Sequence, residues 1–235
     1  MTVAGWAFLA FMTFYMPWAA FRSAQRLRDP KVRPNRKVLL TIVCINQLIF
    51  TGLALLVAWR EYVWLFPPPN IRGLEFVLAA GFLIPALGTA PWRWNTRTVE
   101  ERKKMLWRLP QRRVDLWGWL IVALCAGIGE EIVYRGVMLQ LWERVSGSWG
   151  IAVAICSIAF ALAHFLQGWR SMAIIAVMAL ANHWIVRISG NLYTAMFVHV
   201  TYDFLVGIIF LKLATKEGLL PFPATSDKDE DKVTT

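Results

Sequence analysis

Seven apolar runs, each long enough to cross about 30 Å of hydrocarbon, leave this chain few ways to fold. They cover roughly residues 3–21, 38–59, 73–91, 116–141, 148–167, 171–188 and 192–213. A water-soluble domain of this size has no interior large enough for them: 57% of the 235 residues are hydrophobic, and the mean hydropathy is +0.49. The expected fold is therefore all-α, a polytopic transmembrane helix bundle of about seven spans. Three parts are expected. Residues 1–114 hold three spans and a basic connection, 115–213 form a four-helix membrane core, and 214–235 make a disordered polar tail.

The net charge of +10 invites a nucleic-acid reading. Its distribution argues against one. Cations cluster between apolar runs, from Arg22 to Lys37 and from Arg93 to Arg113, whereas the second, fourth and sixth connections carry few. That alternation marks cytoplasmic loops. It places the N-terminus outside and the C-terminus in the cytoplasm, with the lipid bilayer as the partner and no nucleic acid. A bacterial plasma membrane is the expected location. No basic residue precedes the first run, so no cleavable signal is expected. Within the third connection, Thr98 and Glu101 have capping-box spacing and Pro110 ends the run, which predicts a basic amphipathic helix on the inner leaflet. Cys44, Cys125 and Cys156 each lie in an apolar run without metal-binding spacing and read as packing groups.

The fourth run, LWGWLIVALCAGIGEEIVYRGVMLQLW, contains two carboxylates and an arginine. Each charge at the bilayer centre costs about 2.5–3.5 kcal/mol on insertion scales. Glu131 and Arg135 are four apart and explain each other as an intrahelical ion pair. Glu130 points about 100° away and has no local cation. His164 ends the fifth run, and His199 and Asp203 sit four apart in the seventh. Glu130 precedes Gly147 by as many residues as His164 follows it, so an antiparallel hairpin puts both about 25 Å from the turn. Asp203 lies about 20 Å beyond the next turn, near Gly190. A shared polar pocket follows. His183, preceded by Asn182, either lines the same pocket or faces headgroups, and the second reading is favoured.

A carboxylate beside an imidazole can activate water, and a second imidazole can donate to an oxyanion. Ser157 lies seven residues before His164, but GxSxG is absent. HExxH is absent as well. Glu130, His164, His199 and Asp203 would also make a chemically plausible zinc set. The favoured chemistry requires no cofactor, with a divalent metal such as zinc as the alternative.

Three motifs resemble a known family. EEIVYR is similar to the EExxxR motif of the CAAX prenyl protease and bacteriocin-processing family (the Abi, or type II CAAX endopeptidase, group). FALAH is similar to its FxxxH motif, and GNLYTAMFVHVTYD to its third motif, a turn followed by HxxxN. The resemblance covers about residues 115–210. It implies an intramembrane endopeptidase acting on a membrane-embedded or lipidated peptide or protein. Glu130 would be the base, aided by His164, Glu131 and Arg135 would orient the site, and His199 with the residue four further on would stabilise the oxyanion. Asp203 departs from the family, which usually has Asn there. An ionised aspartate cannot donate to an oxyanion; Asp203 could act if protonated, or by accepting a proton from His199 and fixing that ring. Two other readings stand beside this one: a non-catalytic bacteriocin-immunity or scaffold protein of the same fold, and a proton-coupled transporter, which the absence of internal repeats disfavours.

Overall fold

The computed structural model describes residues 1–68 and 73–220, apart from the side chain of Pro30. The chain is all-helical there. Its principal helices are α1 (Val3–Arg26), α2 (Arg36–Arg60), α3 (Gly73–Asn95), α4 (Val99–Leu106), α5 (Arg113–Ser146), α6 (Trp149–Ala163), α7 (Trp169–Ser189) and α8 (Tyr193–Lys216). Six of these are long and apolar enough to cross a membrane. Their outer faces carry large apolar side chains such as Leu48, Phe76, Trp117 and Phe197. With no water-facing explanation for such surfaces, the chain is an integral multi-pass membrane protein.

Polar contacts sort the helix ends into two groups. At one end Thr2 donates to Glu61, Arg144 to the Glu61 carbonyl, and Tyr193 to the Pro67 carbonyl. At the other, Arg36 pairs with Asp115, Arg108 donates to the Leu166 carbonyl, Arg97 to Ser171, and Arg102 to Glu217. The described residues thus pass between the ends seven times, as expected, but the fifth pass differs in form. The expected run 148–167 yields only the fifteen-residue helix α6, about 22 Å long, because it stops at His164. A short 3-10 turn, Phe165–Gln167, and Gly168 with φ of 85° then lead into α7.

Among the described residues, two helices contain π turns. In α1 the stretch Phe11–Tyr15 precedes Pro17, whose ring and missing N–H disturb the α pattern one turn upstream. In α5 the stretch Glu131–Met138 is π-helical, and every residue in it is buried. Gly147 (φ 67°) and Gly190 (φ 71°) end α5 and α7 in the left-handed region that a side chain disfavours.

α5 crosses α8 closely. A Cβ on Gly127 would lie 2.7 Å from the backbone nitrogen of Val200, and one on Gly207 would strike the Trp119 indole. Glycine at both places lets the two backbones approach, as small residues do in membrane interfaces. Trp119 Nε1 then donates to the Asp203 carbonyl at 3.0 Å.

The capping box of Thr98 and Glu101 is present and opens α4, whose apolar face also packs on the bundle. Leu106 is fully buried in an apolar cluster with Trp94 and Phe210, because the bundle's basic end leaves an apolar hollow that this face fills. One expectation needs correction. The polar tail does not start at residue 214. Helix α8 runs to Lys216, and Glu217 accepts from Trp94 and Arg102 at 2.8 and 2.6 Å, so residues 214–220 are anchored. The rest of the expected tail lies outside the described residues.

Candidate active site

The α5–α8 crossing sets Glu130 one turn beyond Gly127 and across from His199 and Asp203. The turn at Gly147 folds α6 back along α5 and brings His164 to the same level. All four converge. Glu130 Oε2 lies 3.9 Å from His164 Nε2 and 3.7 Å from His199 Nε2, and His199 Nε2 lies 3.6 Å from Asp203 Oδ2.

Each ring is oriented by its other nitrogen. His164 Nδ1 lies 2.7 Å from the Phe160 carbonyl, which can only accept. Nδ1 therefore carries a proton, and Nε2 faces Glu130. This bond also explains why α6 ends there: the ring takes the carbonyl that a further helical turn would use. His199 Nδ1 donates to Glu131 Oε1 at 2.8 Å, leaving Nε2 to face the cavity.

Glu131 and Arg135 form the expected pair at 3.2 Å, both almost wholly buried. The guanidinium also lies 4.5 Å from the Phe160 ring centroid, a cation–π contact on a side chain of the FALAH motif. Glu131 Oε1 is crowded. It receives His199, Arg135 and the amide of Asn182 at 3.3 Å. Adjacent residues on a helix point about 100° apart, so Glu130 faces the cavity while Glu131 turns into the wall behind it.

Asn182 was not singled out by the sequence, although an amide within an apolar run is a polar group in need of a buried partner. His183 does not face headgroups. It is fully buried, and neither ring nitrogen has a partner among the described residues.

A cavity of about 470 Å³ joins these groups. Its walls include Glu130, His164, His199 and Asp203, apolar side chains such as Met12 and Phe50, and, towards the basic end, Arg93, Arg97 and Arg108. Among the described residues, no group of three or more His, Cys, Asp or Glu side chains forms a set that could hold a metal ion.

Membrane-crossing helices that enclose carboxylates and imidazoles around a cavity define a polytopic membrane protein with an intramembrane polar site. Residues 112–205 match the family model described as type II CAAX prenyl endopeptidase Rce1-like. The resemblance read from the three motifs is thus shown over the segment that contains them, and it points to a membrane hydrolase of CAAX protease type. Every site residue from Glu130 to Asp203 falls inside the match, whereas α1 to α4 fall outside it. No curated protein and no solved structure matches the chain.

Proposed function

We propose that the chain is an intramembrane endopeptidase that hydrolyses a peptide bond in a membrane-associated peptide or protein. The observation that carries this reading is the separation of Glu130 and His164. At 3.9 Å the two are too far apart for a direct hydrogen bond, and a single water can bond to both.

Water held there would lose a proton to Glu130 as its oxygen attacks the carbonyl carbon of the substrate. His199, carrying a proton on each nitrogen, would donate from Nε2 to the oxygen that gains negative charge, and Glu131 would balance the ring's charge. Glu130 would then pass its proton to the departing amine as the C–N bond breaks. Arg135 and Asn182 act on this through Glu131.

The proposed chemistry uses no metal ion. Cleavage of a quenched peptide substrate by purified protein is expected to survive treatment with a strong zinc chelator. In the same assay Glu130→Gln and His164→Ala are expected to lose at least about a hundredfold in kcat while expressing and folding normally. Full activity in either variant sinks the mechanism. In the cell, the arginine-rich end would face the cytoplasm and the N-terminus the outside.

A further inference from the structure

Arg93, Arg97 and Arg108 are not used by the mechanism, yet all three line the cavity that holds Glu130. They belong to α3 and the connection around α4, outside the matched segment. Arg93 is only 8% exposed. It donates to the Tyr202 hydroxyl at 2.6 Å, while its Nε has no partner among the described residues. Arg97 donates to Ser171 Oγ at 3.0 Å, and Arg108 to the Leu166 carbonyl at 2.8 Å. These partners are neutral. Among the described residues, none of the three arginines makes an ion pair with a carboxylate.

Charge is out of balance here. Burial is the main influence holding the Arg97 guanidinium below its ordinary range. Glu101 opposes that shift, and Arg93 and Arg170 add to it. Burial, with Arg97 nearby, pulls Arg108 down to about 10. Arginine side chains carry their charge at neutral pH. Of the carboxylates near the cavity, Glu131 is committed to Arg135 and His199, and Glu130 and Asp203 face the histidines. Glu101 is held by its own helix cap and lies 3.6 Å from Arg170. Desolvated guanidiniums with spare donors are strong ligands for an oxyanion, and Arg presents them in a fork that matches a carboxylate.

We propose that Arg93, Arg97 and Arg108 form an anion subsite of the catalytic cavity, which binds a carboxylate carried by the peptide substrate at its chain end or on an acidic side chain. The proposal rests on the peptidase reading in taking a peptide as occupant. Continuity of one cavity from Glu130 to the arginines favours a peptide over a lipid phosphate. The subsite would fix how far from the carboxylate the chain is cut. Ser171, whose oxygen accepts from Arg97, keeps its own proton free to donate to the same group.

The test is binding to the full-length Glu130→Gln protein in phosphatidylcholine nanodiscs. The probe is a dansyl-labelled apolar dodecapeptide in three forms: free acid, terminal amide, and terminal amide with one glutamate near its end. At least one carboxylate form is expected to bind about tenfold more tightly than the plain amide, and which form gains identifies the source. Arg97→Gln with Arg108→Gln is expected to reduce that preference to about twofold or less. This pair is chosen because Arg93 also anchors Tyr202. Equal or absent binding of all three peptides overturns the proposal, as does a preference that survives the double substitution. An arginine-dependent gain that requires added phosphatidylglycerol assigns the anion to lipid and overturns it too. Cleavage by the unsubstituted protein is scored separately. Carboxylate preference without cleavage leaves the subsite standing and sinks the hydrolase.

Discussion

His199 Nδ1 lies 2.8 Å from Glu131 Oε1, which ties α8 to α5 at the level of the site. One carboxylate oxygen thereby holds the ring of His199, the amide of Asn182 and the guanidinium of Arg135. Removing it with Glu131→Ala strands a buried arginine. The expected loss is about 3–5 kcal/mol of stability, the usual cost of breaking a buried ion pair from one side. A fall in the unfolding temperature of detergent-purified protein, together with loss of peptide cleavage, would show it. Glu130→Gln is expected to leave that temperature nearly unchanged, because Glu130 makes no short contact among the described residues.

Asp203 stands where the resembled family usually has Asn, and its carboxylate faces the nitrogen proposed to receive the oxyanion. A negative group there opposes the charge that develops. Asp203→Asn is expected to raise kcat about tenfold, equivalent to about 1.4 kcal/mol of transition-state stabilisation. Steady-state kinetics on the quenched peptide decides the sign. A fall would mean that the reaction needs the carboxylate itself.

The α5–α8 crossing can be tested away from the ionisable groups. Gly127→Ala places a methyl carbon 2.6 Å from Val200 Cγ2 and 2.7 Å from Val200 N, and backbone cannot step aside as a flexible side chain can. A loss of about 1–3 kcal/mol is expected, with a disproportionate loss of activity as Glu130 and His199 separate. Gly118→Ala, on the same helix with open space around it, is the control and should keep full activity with stability unchanged or raised.

Acid should loosen the opposite end of the molecule. Glu61 lies just beyond α2, and its carboxyl is held below the ordinary range chiefly because Thr2 donates to it through its hydroxyl. A depressed carboxylate contributes stability above its unfolded pKa and loses it as pH falls through the folded one. Unfolding temperature should therefore drop below about pH 4.5. In Glu61→Gln that part of the drop should be absent. Parallel thermal melts across this range compare the two.

Hydrophobic run length was enough to read the number of passes, because a spanning segment must be both long and apolar. Counting residues from Gly147 was enough to pair Glu130 with His164, since helical rise is fixed and the turn lies where glycine permits a left-handed cap. Other features depend on neighbours the sequence does not reveal. The end of α6 at His164 depends on a ring-to-carbonyl bond. Asn182 joins the site only because α7 packs behind Glu131. Glu217 is anchored because Trp94 and Arg102 lie beneath it, while its local sequence is polar enough to read as tail. Hydropathy averages over such pairings and is blind to them.

The π-helical stretch in α5 has a consequence for how this helix tolerates change. A π turn is an α-helix that has taken in an extra residue, and the insertion rotates all that follows by about 100°. The part before Glu131 is phased to meet α2 and α8, and the part after Met138 to meet α6. The stretch is thus a phase adapter between two packing partners. Deleting one residue from it would leave a regular helix able to satisfy one partner only, without altering the site's composition.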